Sequence, residues 1–229
     1  MVSAEATAAI RRGQAGIRRL VERDLAAFWR TLDLTRPEAA RDALLRFVPT
    51  LVSTYGDAAA SLAADWYDEV RANEGIPGRF RARVAVPDQT EAVEGTVRRA
   101  AGYLFTDTPT LALTAISTKA GKYALTGSRH TITSSSLADP QASGWQRITR
   151  AGACDFCSML SGRGGVYRKD TVDFAAHGDC NCAAAPSWDP DAPEVDVRAY
   201  SASSRTSRMA PDQREAHNAR VRAWIRANQ

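Results

Sequence analysis

Aromatic side chains are scarce, at 7% of the sequence, which argues against a core of large stacked rings and points to thin helices rich in alanine. No apolar run approaches the roughly 18–20 residues of a membrane-spanning helix, so no membrane association of that kind is expected. Charge of one sign is lacking too. Against 30 Lys+Arg stand 26 Asp+Glu, and the net charge of +4 is too small to predict nucleic-acid binding by itself. Imidazole is confined to His130, His177 and His217, so a histidine base would have to be one of three. The opening MVSAEATAAIRRGQAGIRR has no apolar segment of secretory length, and the chain is expected to remain in a reducing cytoplasm. No internal repeat, no H-E-x-x-H, no G-x-S-x-G and no zinc-deaminase signature occurs, which leaves these chemistries without their usual residues.

What is present is ordinary globular composition, 44% hydrophobic and 24% charged over 229 residues, enough for one main body with an appendage. In GIRRLVERDLAAFWRTLDL the apolar Ile17, Leu20, Val21, Leu25, Phe28 and Leu32 recur every three or four residues, which predicts an amphipathic helix. Thr35 with Glu38 fits a capping box, and Pro37 suits the first turn of a second helix through Leu44, Val48, Leu51 and Tyr55, with Pro49 inside it. Beyond Gly56 a separate helix is expected, aligned on Leu62, Trp66 and Val70 and ending at Gly75. A short extended piece is expected from Phe80 to Val86. Asp88 with Glu91 caps another helix, and Thr108-Pro109 opens a further one toward Leu125. TGSRHTITSSSLADPQASG has no helical period and reads as loop. Trp145–Ile148 alternates as a strand does, Val166-Tyr167 looks like a hairpin return, and Pro211 starts a terminal helix edged by Val221, Trp224 and Ile225. The expected fold is mainly α with a small α+β module. It comprises a helical body (1–140), a zinc-stabilised β-rich Cys/His module (141–190), and an extended arm with a C-terminal helix (191–229).

All four cysteines fall in two clusters, Cys154-x-x-Cys157 and His177-x-x-Cys180-x-Cys182. Zinc takes four sulfur or nitrogen donors at about 2.0–2.3 Å in a tetrahedron. Five candidates compete for four positions: Cys154, Cys157 and His177 are expected to be joined by one of Cys180 and Cys182. About 45 loop-rich residues are too few to be held by a hydrophobic core alone, so a structural metal has a physical purpose here. Three other readings use the same residues. Four cysteines allow three disulfide connectivities. A redox C-x-x-C would need a helix after it, which SGRGG should break. A catalytic zinc would keep an open fourth position.

The stretch GWQRITRAGACDFCSMLSGRGGVYRKD…HGDCNCAAAPSW resembles the C-terminal module of the phage Mu F-like head morphogenesis (minor capsid) proteins, in the actinobacteriophage branch often labelled capsid maturation protease. The likeness is specific over Gly144 to Trp188 and carries Cys154, Cys157, His177, Cys180 and Cys182. Where family members have Pro-Asn and then Arg in the second cluster, this chain has Gly178-Asp179 and Asn181. The resemblance implies a virion component in the capsid interior or at the portal, present in the host cytoplasm during assembly. Its implied partners are portal, major capsid and scaffold proteins, with no small-molecule substrate, and the basic terminal helix and the Arg pairs near the start permit contact with packaged DNA. Two alternatives stand beside this: a capsid maturation protease, and a zinc module that binds nucleic acid. For proteolysis the only Ser/His pair worth naming is His130 with Ser128 or Ser134. His217 sits in a polar helix, and His177 is expected to be taken by the metal.

Overall fold

In a computed structural model of the chain, which describes residues 2–149, 152–163, 165–168, 174, 176, 180, 182–195 and 209–227, the first apolar stripe forms helix α1, Ala4–Trp29. Its buried face is Ile10, Gln14, Ile17, Val21, Leu25 and Trp29, the three-and-four spacing of one side of a helix. Ser3 caps it, its Oγ accepting from the Ala6 N–H at 3.1 Å.

Helix α2 runs unbroken over Pro37–Asn73, where two helices parted at Gly56 are expected from the sequence. The reason is a partner distant in the chain. A Cβ on Gly127 would collide with the Gly56 carbonyl oxygen, so these two glycines mark where two helices approach backbone to backbone, with Ala59, Ala60, Ala63, Ala120 and Ala124 buried around them. Gly127→Ala is expected to cost about 2–3 kcal/mol through overpacking, read as a lower midpoint in urea denaturation. The expected capping box is also absent. The Thr35 N–H and Oγ1 both turn back to Asp33 Oδ1, at 3.0 and 2.6 Å, and the N-cap Arg36 supplies no side-chain cap; a local aspartate turn has outcompeted the helix for the hydroxyl.

Helix α3, Thr90–Ala100, starts where Asp88 Oδ1 accepts the Thr90 N–H at 2.8 Å, and it tightens into a 3-10 turn, Ala101–Phe105. Helix α4 spans Thr110–Ala138, which corrects the expected loop from Thr126 onward. Ser134 donates to the His130 carbonyl at 2.6 Å and Ser136 to that of Ile132 at 2.8 Å, so these hydroxyls are satisfied within the helix. Ser128, Thr131, Ser135 and Ser136 are buried. Gln14 Nε2 of α1 donates to Ser128 Oγ at 2.9 Å, and Thr131 Oγ1 both accepts from the Ala85 N–H (3.0 Å) and donates to its carbonyl (3.2 Å). The segment expected to be extended near Phe80–Val86 is thus tied onto α4 and forms no strand among the described residues.

Strand β1, Gly144–Ile148, pairs antiparallel with β2, Ala183–Ser187, with Gly144 opposite Ser187 and Ile148 opposite Ala183. On its other side Trp145 and Tyr167 exchange backbone hydrogen bonds of 3.1 and 2.7 Å, the return expected at Val166-Tyr167. Between the strands lies the short helix α5, Asp155–Ser161, and the described chain ends with α6, Pro211–Ala227. The fold is mainly helical with a small two-stranded antiparallel sheet.

Two larger cores and two small clusters hold the described residues together. One larger core gathers Val21, Leu25, Leu44, Val48, Val93, Val97 and Ile116 from α1, α2, α3 and α4. The other joins Ile10, Trp66, Tyr67, Val70 and Ile132 of the helices to Trp145, Tyr167, the three alanines of β2 and Val195. The junction is pinned by Asp139, the residue after α4. Its carboxylate accepts from Tyr67 Oη (3.1 Å), Arg71 Nε (2.9 Å), Trp188 Nε1 (3.1 Å) and the Gln141 N–H (3.0 Å). Burial pushes the Asp139 carboxyl up, but the bonds from Arg71, Gln141 and Trp188 outweigh it and hold it below the usual carboxylate range.

Candidate metal centre

Cys154 is the N-cap residue of α5 and Cys157 lies in its first turn, so the helix carries the second cysteine inward while the first stays exposed. Cys180 and Cys182 lie two residues apart on the approach to β2, a spacing that places both side chains on one side of an extended chain. The sulfur atoms of Cys157, Cys180 and Cys182 all lie within 4.8 Å of one another, and the first two are 3.7 Å apart. Four sulfurs about 2.3 Å from a tetrahedral zinc stand about 3.8 Å apart. The group therefore fits a metal site, and both Cys180 and Cys182 enter it. His177 lies outside the described residues, and Cys154 stands outside this group of three. No disulfide joins any of the four cysteines, and 3.7 Å is far beyond the S–S bond of about 2.05 Å.

The three thiols are almost fully buried, exposed by 1%, 2% and 2%. Their ionisation is unequal. Hydrogen bonds from Cys157 and Cys182, with the Arg129 guanidinium alongside, hold the Cys180 thiol far below its ordinary value. The Cys157 thiol, bonded to Cys180 and Cys182 and buried, is pushed up. Cys182 is raised too, because its bond to Cys157 is outweighed by that to Cys180 and by burial. Three crowded sulfurs resist ionising together, and a divalent cation removes the mutual repulsion between their thiolates.

Two arginines complete the surroundings. Arg129 of α4 is 2% exposed, with Nη2 donating to the Cys180 carbonyl at 2.7 Å and Nε to that of Cys182 at 3.3 Å. The guanidinium of Arg147 of β1 lies 3.8 Å from the centre of the Phe174 ring, and that of Arg129 lies 5.2 Å from it. Burial lowers the Arg129 pKa, and the nearby Cys180 opposes that shift. Neither arginine stands out in the sequence. The available signal is a lone Arg129 amid small residues in TGSRHTITSSS and the alternation of Arg147 with Trp145 in WQRI.

The model of the VG15 protein family matches residues 1–206, which takes in α1 to α5, both strands and all five candidate ligands. The chain belongs to the VG15 family. VG15 is a viral gene product family, and the membership points to a phage protein. Neither a curated protein nor a solved structure matches the chain.

In this VG15 chain the serine and histidine candidates all lie on α4. Ser128 is buried against Gln14, whereas His130 is exposed. Ser134 gives its hydroxyl to the His130 backbone carbonyl. Among the described contacts neither hydroxyl is given to the imidazole. A separate open cleft of about 700 Å³ lies between α3, the 3-10 turn and α4; Arg99, Lys119, Tyr103 and Tyr123 line it together with the hydroxyls of Thr96 and Thr106. No described helix is long and apolar enough to cross a membrane.

Proposed function

We propose that this VG15 chain is a minor capsid, or head morphogenesis, protein of a tailed bacteriophage of the phage Mu F-like kind, acting in head assembly or DNA delivery with a structural zinc ion. The observation that carries the reading is the enclosure of Cys157, Cys180 and Cys182: structural zinc sites are closed, whereas catalytic ones keep a position open to water and substrate. Cys154 or His177 would supply the fourth ligand. When bound, the ion supplies a cross-link between α5 and the start of β2, and this chain's residues do the rest by packing Trp145, Tyr167 and the β2 alanines onto the helices.

The product is a rigid unit suited to docking on portal, major capsid or scaffold proteins inside the virion. The exposed Val221 and Trp224 of α6, at 42% and 64%, suit a neighbouring subunit. Packaged DNA would find cations at Arg99 and Lys119 of the cleft and on the exposed, arginine-bearing face of α6. The alternative, a capsid maturation protease, is supported by the resemblance and draws no support from the placement of His130, Ser128 and Ser134.

Co-expression with the cognate portal, scaffold and major capsid proteins separates the two. Cys157→Ser is expected to lower incorporation into heads several-fold, while His130→Ala leaves incorporation and capsid processing as in the wild type. Loss of processing in His130→Ala with assembly retained would make the protease the leading reading.

A further inference from the structure

Arg129 is costly to explain by structure alone. A guanidinium taken out of water needs an anion or a full set of acceptors. Arg129 has two backbone carbonyls, those of Cys180 and Cys182, and its Nη1 is buried with no hydrogen-bond partner among the described residues. Among those residues no ion pair links it to a carboxylate. Among the described residues, the groups beside it able to carry negative charge are Cys157, Cys180 and Cys182, and the second cation near the same ring, Arg147, adds to the positive side.

Three thiolates on a divalent ion make a centre of net charge −1 with a neutral histidine as fourth ligand, or −2 with a fourth cysteine. Either charge, buried, requires compensation. The two anomalies cancel when they are put together. We propose that Arg129 is the built-in counter-ion of an anionic metal–thiolate centre, so that metal affinity in the cysteine segment depends on a residue of helix α4. This rests on reading the cluster as a metal centre. It adds the sign of the centre's charge and a positioning residue that lies outside the cysteine motif. Arg129 also fixes geometry, because its two carbonyl bonds hold the backbone of both Cys180 and Cys182 while its charge faces their sulfurs.

Charge and geometry are separable by substitution in the full-length protein. Arg129→Lys keeps the charge and loses the planar fork; Arg129→Gln keeps a donor for the carbonyls and loses the charge. Zinc affinity is measured by competition with a chromophoric chelator, and the intensity of the sulfur-to-cobalt charge-transfer band after cobalt substitution reports the number of thiolates bound. The counter-ion role predicts affinity within about threefold of wild type for Arg129→Lys, and a loss of about tenfold or more for Arg129→Gln with the cobalt band retained. A Gln variant that binds as the wild type does, or a Lys variant weakened by more than about tenfold, overturns the proposal. If Arg129→Gln does not accumulate, the Lys variant decides by the same threshold. Wild-type protein that binds neither zinc nor cobalt removes the metal centre itself, a result distinct from failure of Arg129 alone.

Discussion

Replacing Cys157 and Cys180 together by serine is expected to abolish stoichiometric zinc and to lower the thermal midpoint by about 8–16 °C. The size follows from linkage. An ion present at a thousand times its dissociation constant stabilises the folded state by about 4 kcal/mol, and each kcal/mol moves the midpoint of a chain this long by about 2–4 °C. Small zinc-folded modules draw about 10–16 kcal/mol from their metal, but here the helices keep a core of their own, so the loss should be partial. Melting followed by circular dichroism, with elemental analysis of the same samples, checks both halves. Serine is nearly the shape of cysteine, so without a metal the double variant would melt within a few degrees of wild type. That outcome, with no zinc in either protein, would end the structural-metal reading.

The second large effect is expected at Asp139→Asn. Asp139 is 2% exposed, and its partner Arg71 is 6% exposed. Arg71 also donates to the carbonyls of Ile76, Pro77 and Gly78, but Asp139 is its ion-pair partner. Removing the negative charge leaves a buried cation uncompensated, which costs about 3–5 kcal/mol. The pH dependence has a definite sign. The folded state holds the Asp139 carboxyl below its unfolded value, about 3.9 in model peptides, so its contribution is complete above about pH 4 and fades as pH falls through the folded-state value. The stability gap between wild type and Asp139→Asn should therefore be full at pH 7 and close below about pH 4. Denaturant titrations at pH 7, 5 and 3 measure it, and a gap under about 1 kcal/mol at pH 7 would show that the carbonyls alone satisfy Arg71.

Helix α1 could be read directly from the sequence because its buried residues, Gln14 excepted, are apolar and keep a helical spacing. Even there Leu20 is 37% exposed, as expected at the rim of the stripe. The second half of α4 could not be read in this way. Apart from Ile132, its buried face is polar or small, with Ser128, Thr131, Ser135 and Ser136, which carry no hydropathy signal and favour turns when taken singly. Gly56 misled for a related reason: its role is set by Gly127 across the helix interface and not by its neighbours in the chain.

At the candidate site, spacing offered Cys154, Cys157, His177, Cys180 and Cys182 and favoured the first three with one of the last two, whereas the structure gathers Cys157, Cys180 and Cys182. Spacing could not tell whether both Cys180 and Cys182 face inward, nor that α5 would begin directly after Cys154 and leave it exposed. Arg129 and Asp139 escaped notice because charged residues are usually solvated. Only the packing of α4 on α2 and on the cysteine segment takes them out of water.

At about 1.5 Å per residue, the 37 residues of α2 form a rod about 55 Å long. Leu44 and Val48 near one end are set in the first core, and Trp66, Tyr67 and Val70 near the other are set in the second. The two cores thus share one continuous helical wall.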